Sequence, residues 1–485
     1  MRKTSATTQS TPRPTLRDRA LSFVGLLAGR DGGSVARLEV FLFLSLWLAY
    51  GAAINSANLL QFNLQQIGVE AIVERGHFFL EGSASEHLQP LGDVFLHDGH
   101  KYAAKQPGQF MAGALVYSAL YAAGLRYTDD YLLASALVTF FTTSLVLAAS
   151  AVAVFRISRE LAADSESLFW PLASALAYAL ATTVFAYSGI AHHDALATGY
   201  LVIAFYLILR LARGRAKGRG AAVLSCCAGL LLGLTVTTSM LTFFMAVVCG
   251  LFFLALRRWR LTPLFLFGAL AGLVPLFVYD AASFGNPFLL PNVVGAELFA
   301  DTFFQLDPKN FGDKVVFYSA MLAAYAPVFA LGLFGLSYFP RAFKRGPAFL
   351  TMTALMVALA VYVLNIETGG DCQFGPRYML PAMPFACLGL IGYGYLSSRW
   401  ERWLAGLVVV LVGAVSFVVN LVGAVAGAMC CPDGRSAFSN QLASLGSGDP
   451  RSFPLAPWLL VPLVVCAVLF VLAVVSQHKG DARRR

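Results

Sequence analysis

Hydrophobic and polar positions along this chain come in blocks: apolar runs long enough to cross a hydrocarbon core recur from Val40 almost to Gln477, with short polar connectors between them. Such runs predict helices, because only helices and closed barrels satisfy their own backbone inside a bilayer. The first run is Val40 to Leu60. Further spans are expected at about 131–154, 167–188, 194–211, 221–238, 240–256, 262–281, 315–338, 347–364, 379–397, 403–428 and 457–476, making about twelve. Gly108 to Leu125 is a short apolar piece with three glycines and two tyrosines, and it decides the orientation of everything after it.

Charge settles that choice. If Gly108 to Leu125 lies along the outer interface, 26 of the 35 Lys and Arg fall on the cytoplasmic side, whereas only 13 do so if it spans. Cytoplasmic loops carry the excess of basic residues, so the first arrangement is expected, with both termini cytoplasmic and the Gly108 piece an interfacial helix. The chain is then all-α and polytopic: a cytoplasmic segment 1–38, a transmembrane domain 39–476 whose first outer loop covers 61–130, and a tail 477–485. No early apolar core or small-residue cleavage site precedes Val40, so no removable signal peptide is expected and the first span acts as a signal anchor.

Composition adds little to this picture beyond exclusions. With 58% hydrophobic and 13% charged residues and a mean hydropathy of +0.69, the chain is not a soluble enzyme. The net charge of +9 reflects basic clusters between spans and not a nucleic-acid footprint. Of the 26 acidic residues, 18 lie at or beyond the outer face, a bias that membrane orientation does not require. The spans themselves are nearly free of charge, and no tandem repeat of the transporter kind is present. Chemistry is therefore expected on the outer face.

The first outer loop holds Glu70, Glu74, Glu81, Glu86, Asp93, Asp98, three histidines and Lys105 within about forty residues. Any one of these acids alone reads as loop solvation. Together they resemble a site: carboxylates just past the first span, a lysine, then a Pro-Gly turn. Asp93 to Phe95 with Gly99 to Gly108, GHKYAAKQPG, is similar to a "G-x-x-Y-x-x-K-x-P-G" signature. Tyr279 to Phe288, YDAASFGNPF, resembles "Y-N-x-x-x-F-G-x-P", with Asp280 in place of the Asn. Gly369 to Phe385, GGDCQFGPRYMLPAMPF, resembles "G-G-x-x-x-F-G-P-R-Y-x-L-P-x-x-P-F". These segments resemble the GT-C superfamily of polyprenyl-phosphate-dependent glycosyltransferases, which includes protein O-mannosyltransferase-like and aminoarabinose-transferase-like bacterial proteins. The likeness runs from the first span to about residue 400.

The resemblance implies transfer of a sugar from a polyprenyl-phosphate donor to a glycan, lipid or protein at the outer face of the cytoplasmic membrane. It places the general base in the first outer loop, where Glu74 is favoured, then Glu70, with Asp93 third; inverting transfer needs one such carboxylate opposite the leaving group. The departing phosphate calls for fixed positive charge, and Arg377 and Lys105 are among the few outer basic residues; snorkelling at the interface is the bland alternative for each. Asp194, Tyr102 and Tyr378 complete the expected substrate-binding set. His192, His193 and Asp194 form a cluster with almost no loop, in which His193 and Asp194 are candidate ligands for a divalent metal. Of the cysteines, five lie in spans, while Cys372 and one of Cys430 and Cys431 could be bridged outside. The competing readings are a transporter of lipid-linked glycans and a membrane assembly factor without chemistry.

Overall fold

The computed structural model describes residues 33–89, 92–162, 168–295, 308–338, 346–366, 373–428, 436–448 and 450–484. The chain is an all-α polytopic membrane protein with one short hairpin. It divides into two compact units, residues 46–460 and a small one of residues 1–45 with 461–485. The small unit carries the first part of the helix Gly33–Ala53 and most of the helix Ala456–Arg484. Cys372, Cys430 and Cys431 lie outside the described residues, and the five cysteines of the spans are free thiols.

Among the described residues, eight helices are long and apolar enough to cross a membrane, or nine if one bent pair counts as a span. They match eight of the expected twelve. The other four apolar blocks are interrupted or short, each for a local reason. Pro327, which has no N–H to give, separates Phe311–Tyr325 from Val328–Leu336, and the two pieces meet at 109°. The block at 167–188 breaks after Leu180, where Thr182 turns its side chain to cap the amide of Val184 and starts the new helix Thr183–Ser188. The block at 379–397 contains Pro381 and Pro384 and alternates tight 3-10 turns with the short helix Met383–Leu388. The fourth, Met240–Ala255, is continuous but short.

The segment that follows the first apolar helix is tied to the far end of the sequence. Asn55 donates from Nδ2 to the Ala424 carbonyl at 2.8 Å, and Asn58 Oδ1 accepts from the Ala428 amide at 2.9 Å. Ser56 and Ser452 exchange two further bonds. From there the chain forms the helix Leu64–Glu70, loosens into a π turn over Ala71–Arg75 and stops at Gly76, whose φ of 72° ends it in a left-handed cap. The Gly108 segment forms the helix Gly108–Ala122, which buries Gln109, Phe110, Gly113, Ala114 and Tyr117 along one face and exposes Leu115 on the other. Phe110 and Gly113 seat against Gly68 and Val69 of the Leu64–Glu70 helix.

Candidate functional site

The site begins with the hairpin. Val94–His97 pairs antiparallel with His100–Ala103, and Asp98 and Gly99 form the two-residue turn, both at positive φ as such a turn requires. The register places Val94 opposite Ala103, so the residues just beyond, Asp93 and Lys105, meet at the open end. Lys105 Nζ lies 3.0 Å from Asp93 Oδ2. Asp93 is half-exposed and Lys105 mostly covered. Burial would push the Asp93 carboxyl up, but Lys105, then Arg377 and His193, outweigh it and hold the group below the usual carboxylate range. Arg377 and His193 are thus near neighbours of Asp93 despite their distance in sequence.

A second arm is the start of the helix His193–Ala212. His192 caps it, accepting from the Asp194 amide on Nδ1 at 3.2 Å, while His193 Nε2 lies 3.4 Å from Asp194 Oδ1. Asp194 is 2% exposed and receives the Ser239 hydroxyl at 2.6 Å. Gln65, from the helix Leu64–Glu70, reaches His193 Nδ1 at 3.4 Å. The Lys105 loop is held in the same neighbourhood, because Gly108 lies so tightly on Thr238 that an added Cβ would come within 2.6 Å of the Thr238 Cα. That contact explains the closing glycine of the lysine motif.

Arg377 is the third arm. Gly375 sits at φ 69° with Thr183 and Tyr325 against it, so neither the backbone conformation nor the space admits a side chain, and Pro376 follows. The turn Arg377–Ala382 packs on the His193–Ala212 helix. The Arg377 guanidinium lies 4.7 Å from the Tyr378 ring centre and donates through Nη2 to the Tyr378 hydroxyl at 3.2 Å. Burial opposes its charge, but Tyr378, Asp194 and Tyr187 strengthen it. Arg377 Nε, Asp194 Oδ2 and Gln65 Oε1 are buried without a hydrogen-bond partner among the described residues. Buried polar atoms are rarely left so, and three in one cluster mark a place where a ligand's polar groups fit.

Asp93, Lys105, His193, Asp194, Arg377 and Tyr378 are therefore brought together. Glu70, Glu74 and Tyr102 have other engagements. Glu70 is buried and pairs with Arg75 at 2.7 Å; burial, aided by Glu74, raises its carboxyl above the usual range against the pull of Arg75. Glu74 accepts from the Tyr117 hydroxyl, which itself accepts from the Tyr127 amide at 3.0 Å. Tyr102 is buried in an aromatic cluster with Phe95 and Phe284 that holds the hairpin against the end of the helix Thr262–Phe284. Ser239 and Gln65 belong to the cluster although nothing in the sequence reading singled them out. Among the described residues, no group of three or more His, Cys, Asp or Glu is placed to hold a metal ion.

No protein-family model matches the chain, and no curated protein matches it in sequence. Solved structures do. The chain is similar to the Archaeoglobus fulgidus oligosaccharyltransferase tethered with an acceptor peptide, at 12% identity and a TM-score of 0.51 over 82% of this chain and 56% of that one. The same archaeal enzyme in complex with Zn and sulfate matches at 13% identity and a TM-score of 0.50, over 81% of this chain and 54% of that one. ArnT from Cupriavidus metallidurans bound to undecaprenyl phosphate matches 94% of this chain and 76% of that one, at 15% identity and a TM-score of 0.48. The chain thus spans little more than half the length of the oligosaccharyltransferase and shares its fold.

Proposed function

We propose that the protein is a membrane glycosyltransferase that moves a sugar from a polyprenyl-phosphate donor to a glycan, lipid or protein acceptor at the outer face of the cytoplasmic membrane. The observation that carries this reading is the convergence of two cations, Lys105 and Arg377, with two carboxylates, Asp93 and Asp194, at the end of a membrane helix. A transporter would distribute ionisable groups along a path through the spans. The oligosaccharyltransferase supports the reading through its shared fold, and it was solved tethered with an acceptor peptide.

Lys105 and Arg377 hold the donor phosphate. An acceptor O–H attacks the anomeric carbon, the bond from that carbon to the phosphate oxygen breaks, and the electron pair leaves on the lipid phosphate facing the two cations. The acceptor proton passes to a carboxylate. Asp93 pairs with Lys105, feels the charge of Arg377 and is half-exposed, whereas Glu70 and Glu74 are engaged by Arg75 and Tyr117; we assign the base to Asp93. Lys105 is shared: donor phosphate draws it away from Asp93 and leaves that carboxylate more basic where the acceptor arrives. Asp194, held by Ser239, orients sugar hydroxyls, and Tyr378 holds the Arg377 fork flat.

His193 and Asp194 offer two donors to a divalent metal, short of the four to six that a site needs. Lys105 and Arg377 act on the same histidine and oppose a cation there. A divalent metal there would need further donors, for which Asp93, which acts on His193, is the available carboxylate.

The test is to incubate the purified protein in vesicles with a panel of polyprenyl-phosphate sugars and membranes from a deletion strain, and to follow free polyprenyl phosphate and sugar-modified acceptor by mass spectrometry. Sugar transfer from one donor of the panel is expected. Translocation of intact donors with release from none of them would establish the transporter.

A further inference from the structure

A second charged cavity lies at the other end of the helix that carries Asp194. Sixteen residues separate Asp194 from Arg210 on His193–Ala212, so at 1.5 Å per residue the two are about 24 Å apart along the axis. There a cavity of about 560 Å³ is lined by Arg210, Arg215 and Arg219 with Val223 and Leu224 beside them. Its described lining contains no acid. Glu160 faces Arg213, outside this lining, at 3.7 Å. Arg210 is braced by the Tyr206 ring at 5.9 Å, which Arg156 flanks at 5.8 Å.

Positive-inside sorting explains basic residues in this connector but not their arrangement around one cavity, nor the apolar side chains that share it. Three guanidinium groups with no carboxylate in their described lining ask for an anion, and their planar forks suit paired phosphate oxygens. Val223 is 55% exposed and continues, with Leu224, into a helix of spanning length, so the occupant must be apolar on that side. Free phosphate meets only the first requirement. We infer that the Arg210–Arg215–Arg219 cavity is a binding site for the phosphate headgroup of an anionic phospholipid, on the membrane face opposite the candidate active site, with the acyl chains lying along Val223 and Leu224. Basic pockets between spanning helices are suited to this task.

The experiment uses the full chain in detergent. Retention of phosphatidylglycerol and of phosphatidylcholine is measured by native mass spectrometry, and binding of inorganic phosphate by calorimetry. The wild type is expected to retain phosphatidylglycerol preferentially and to bind inorganic phosphate far more weakly. Removing all three arginines as Arg210→Gln, Arg215→Gln and Arg219→Gln should weaken retention about tenfold or more. Arg399→Gln, which takes a charge from another connector, should leave it unchanged. Because the triple variant also alters orientation signals, Val223→Glu serves as a second probe: it keeps every arginine, places an acid at the cavity and should likewise release the lipid. Equal retention of phosphatidylcholine, inorganic phosphate binding as tight as the lipid, or undiminished phosphatidylglycerol in Val223→Glu would each overturn the site.

Discussion

Replacing Arg377 by lysine separates a phosphate-binding role from an interfacial anchor, because both residues snorkel and both are cationic. Lysine loses two things the guanidinium has here. One is the stacking on Tyr378 at 4.7 Å, an interaction type worth about 0.5–1 kcal/mol. The other is the planar fork, whose Nη2 is used on Tyr378 while the buried Nε has no partner among the described residues. A hydrogen bond to a charged group contributes about 1.5–3 kcal/mol, so the loss comes to roughly 2–4 kcal/mol. At about 1.4 kcal/mol per factor of ten, that predicts a fall of roughly 30- to 1,000-fold in kcat/KM for the donor. Arg377→Ala loses the charge as well and should fall further. The assay is donor kinetics at saturating acceptor, with thermal midpoints of both variants to confirm folding. Wild-type kcat/KM for the donor in Arg377→Lys refutes the phosphate role and leaves Lys105 as the cation of the leaving group.

The acid that takes the proton is distinguished by substitution and by pH. Asp93→Asn should lower the rate by on the order of 10² to 10⁴, with smaller effects of Glu74→Gln and Glu70→Gln. A carboxyl held below its usual range stays ionised until the pH falls through that lowered value, so with Asp93 as base kcat/KM should show no acid limb from it above about pH 5. A limb nearer neutrality that disappears in Glu70→Gln would instead identify the raised carboxyl of Glu70. Asp280 is fully buried, and neither of its carboxylate oxygens has a partner among the described residues. Its neutral isostere should relieve that burial, so the thermal midpoint of Asp280→Asn is expected to equal or exceed the wild type, and a clear drop would show that the carboxylate is bonded. Single cysteines in a cysteine-free background should be labelled from outside intact cells at His87 and Ser439 and protected at Ala216; labelling at Ala216 would reverse the orientation.

Hydropathy found the blocks because composition decides what the bilayer accepts, but it averages over the backbone and is blind to bends. Pro327, Thr182 and the Pro381–Pro384 pair turn equally apolar stretches into angled or tightly wound pieces. The hairpin left a signal in Asp98-Gly99 between two short strands, a turn dipeptide hidden in a loop rich in charge. Arg377 and Lys105 were legible as rare basic residues in loops expected outside, and Asp194 as an acid at the end of a span. Which acid belongs with them was not, since the Asp93–Lys105 pairing depends on hairpin register and the Glu74–Tyr117 contact on how the Gly108–Ala122 helix docks. Ser239 and Gln65 are neutral, and nothing in their own segments distinguishes them from polar residues that satisfy a helix end.

The asparagines just after the first apolar helix also impose an order in time. Asn55 and Asn58 bond to groups 369 and 370 residues further along the chain. At about 5–20 residues per second, a ribosome needs roughly 20–70 s to make that intervening stretch. Throughout that interval the first apolar helix is already made while the groups that will clasp its C-terminal end do not yet exist. The segment that follows it therefore waits, with its amides hydrated, until the chain as far as Ala428 has been made. Nascent chains stopped short of Ala424 should keep this segment open to added protease, and those released beyond Ser452 should close it.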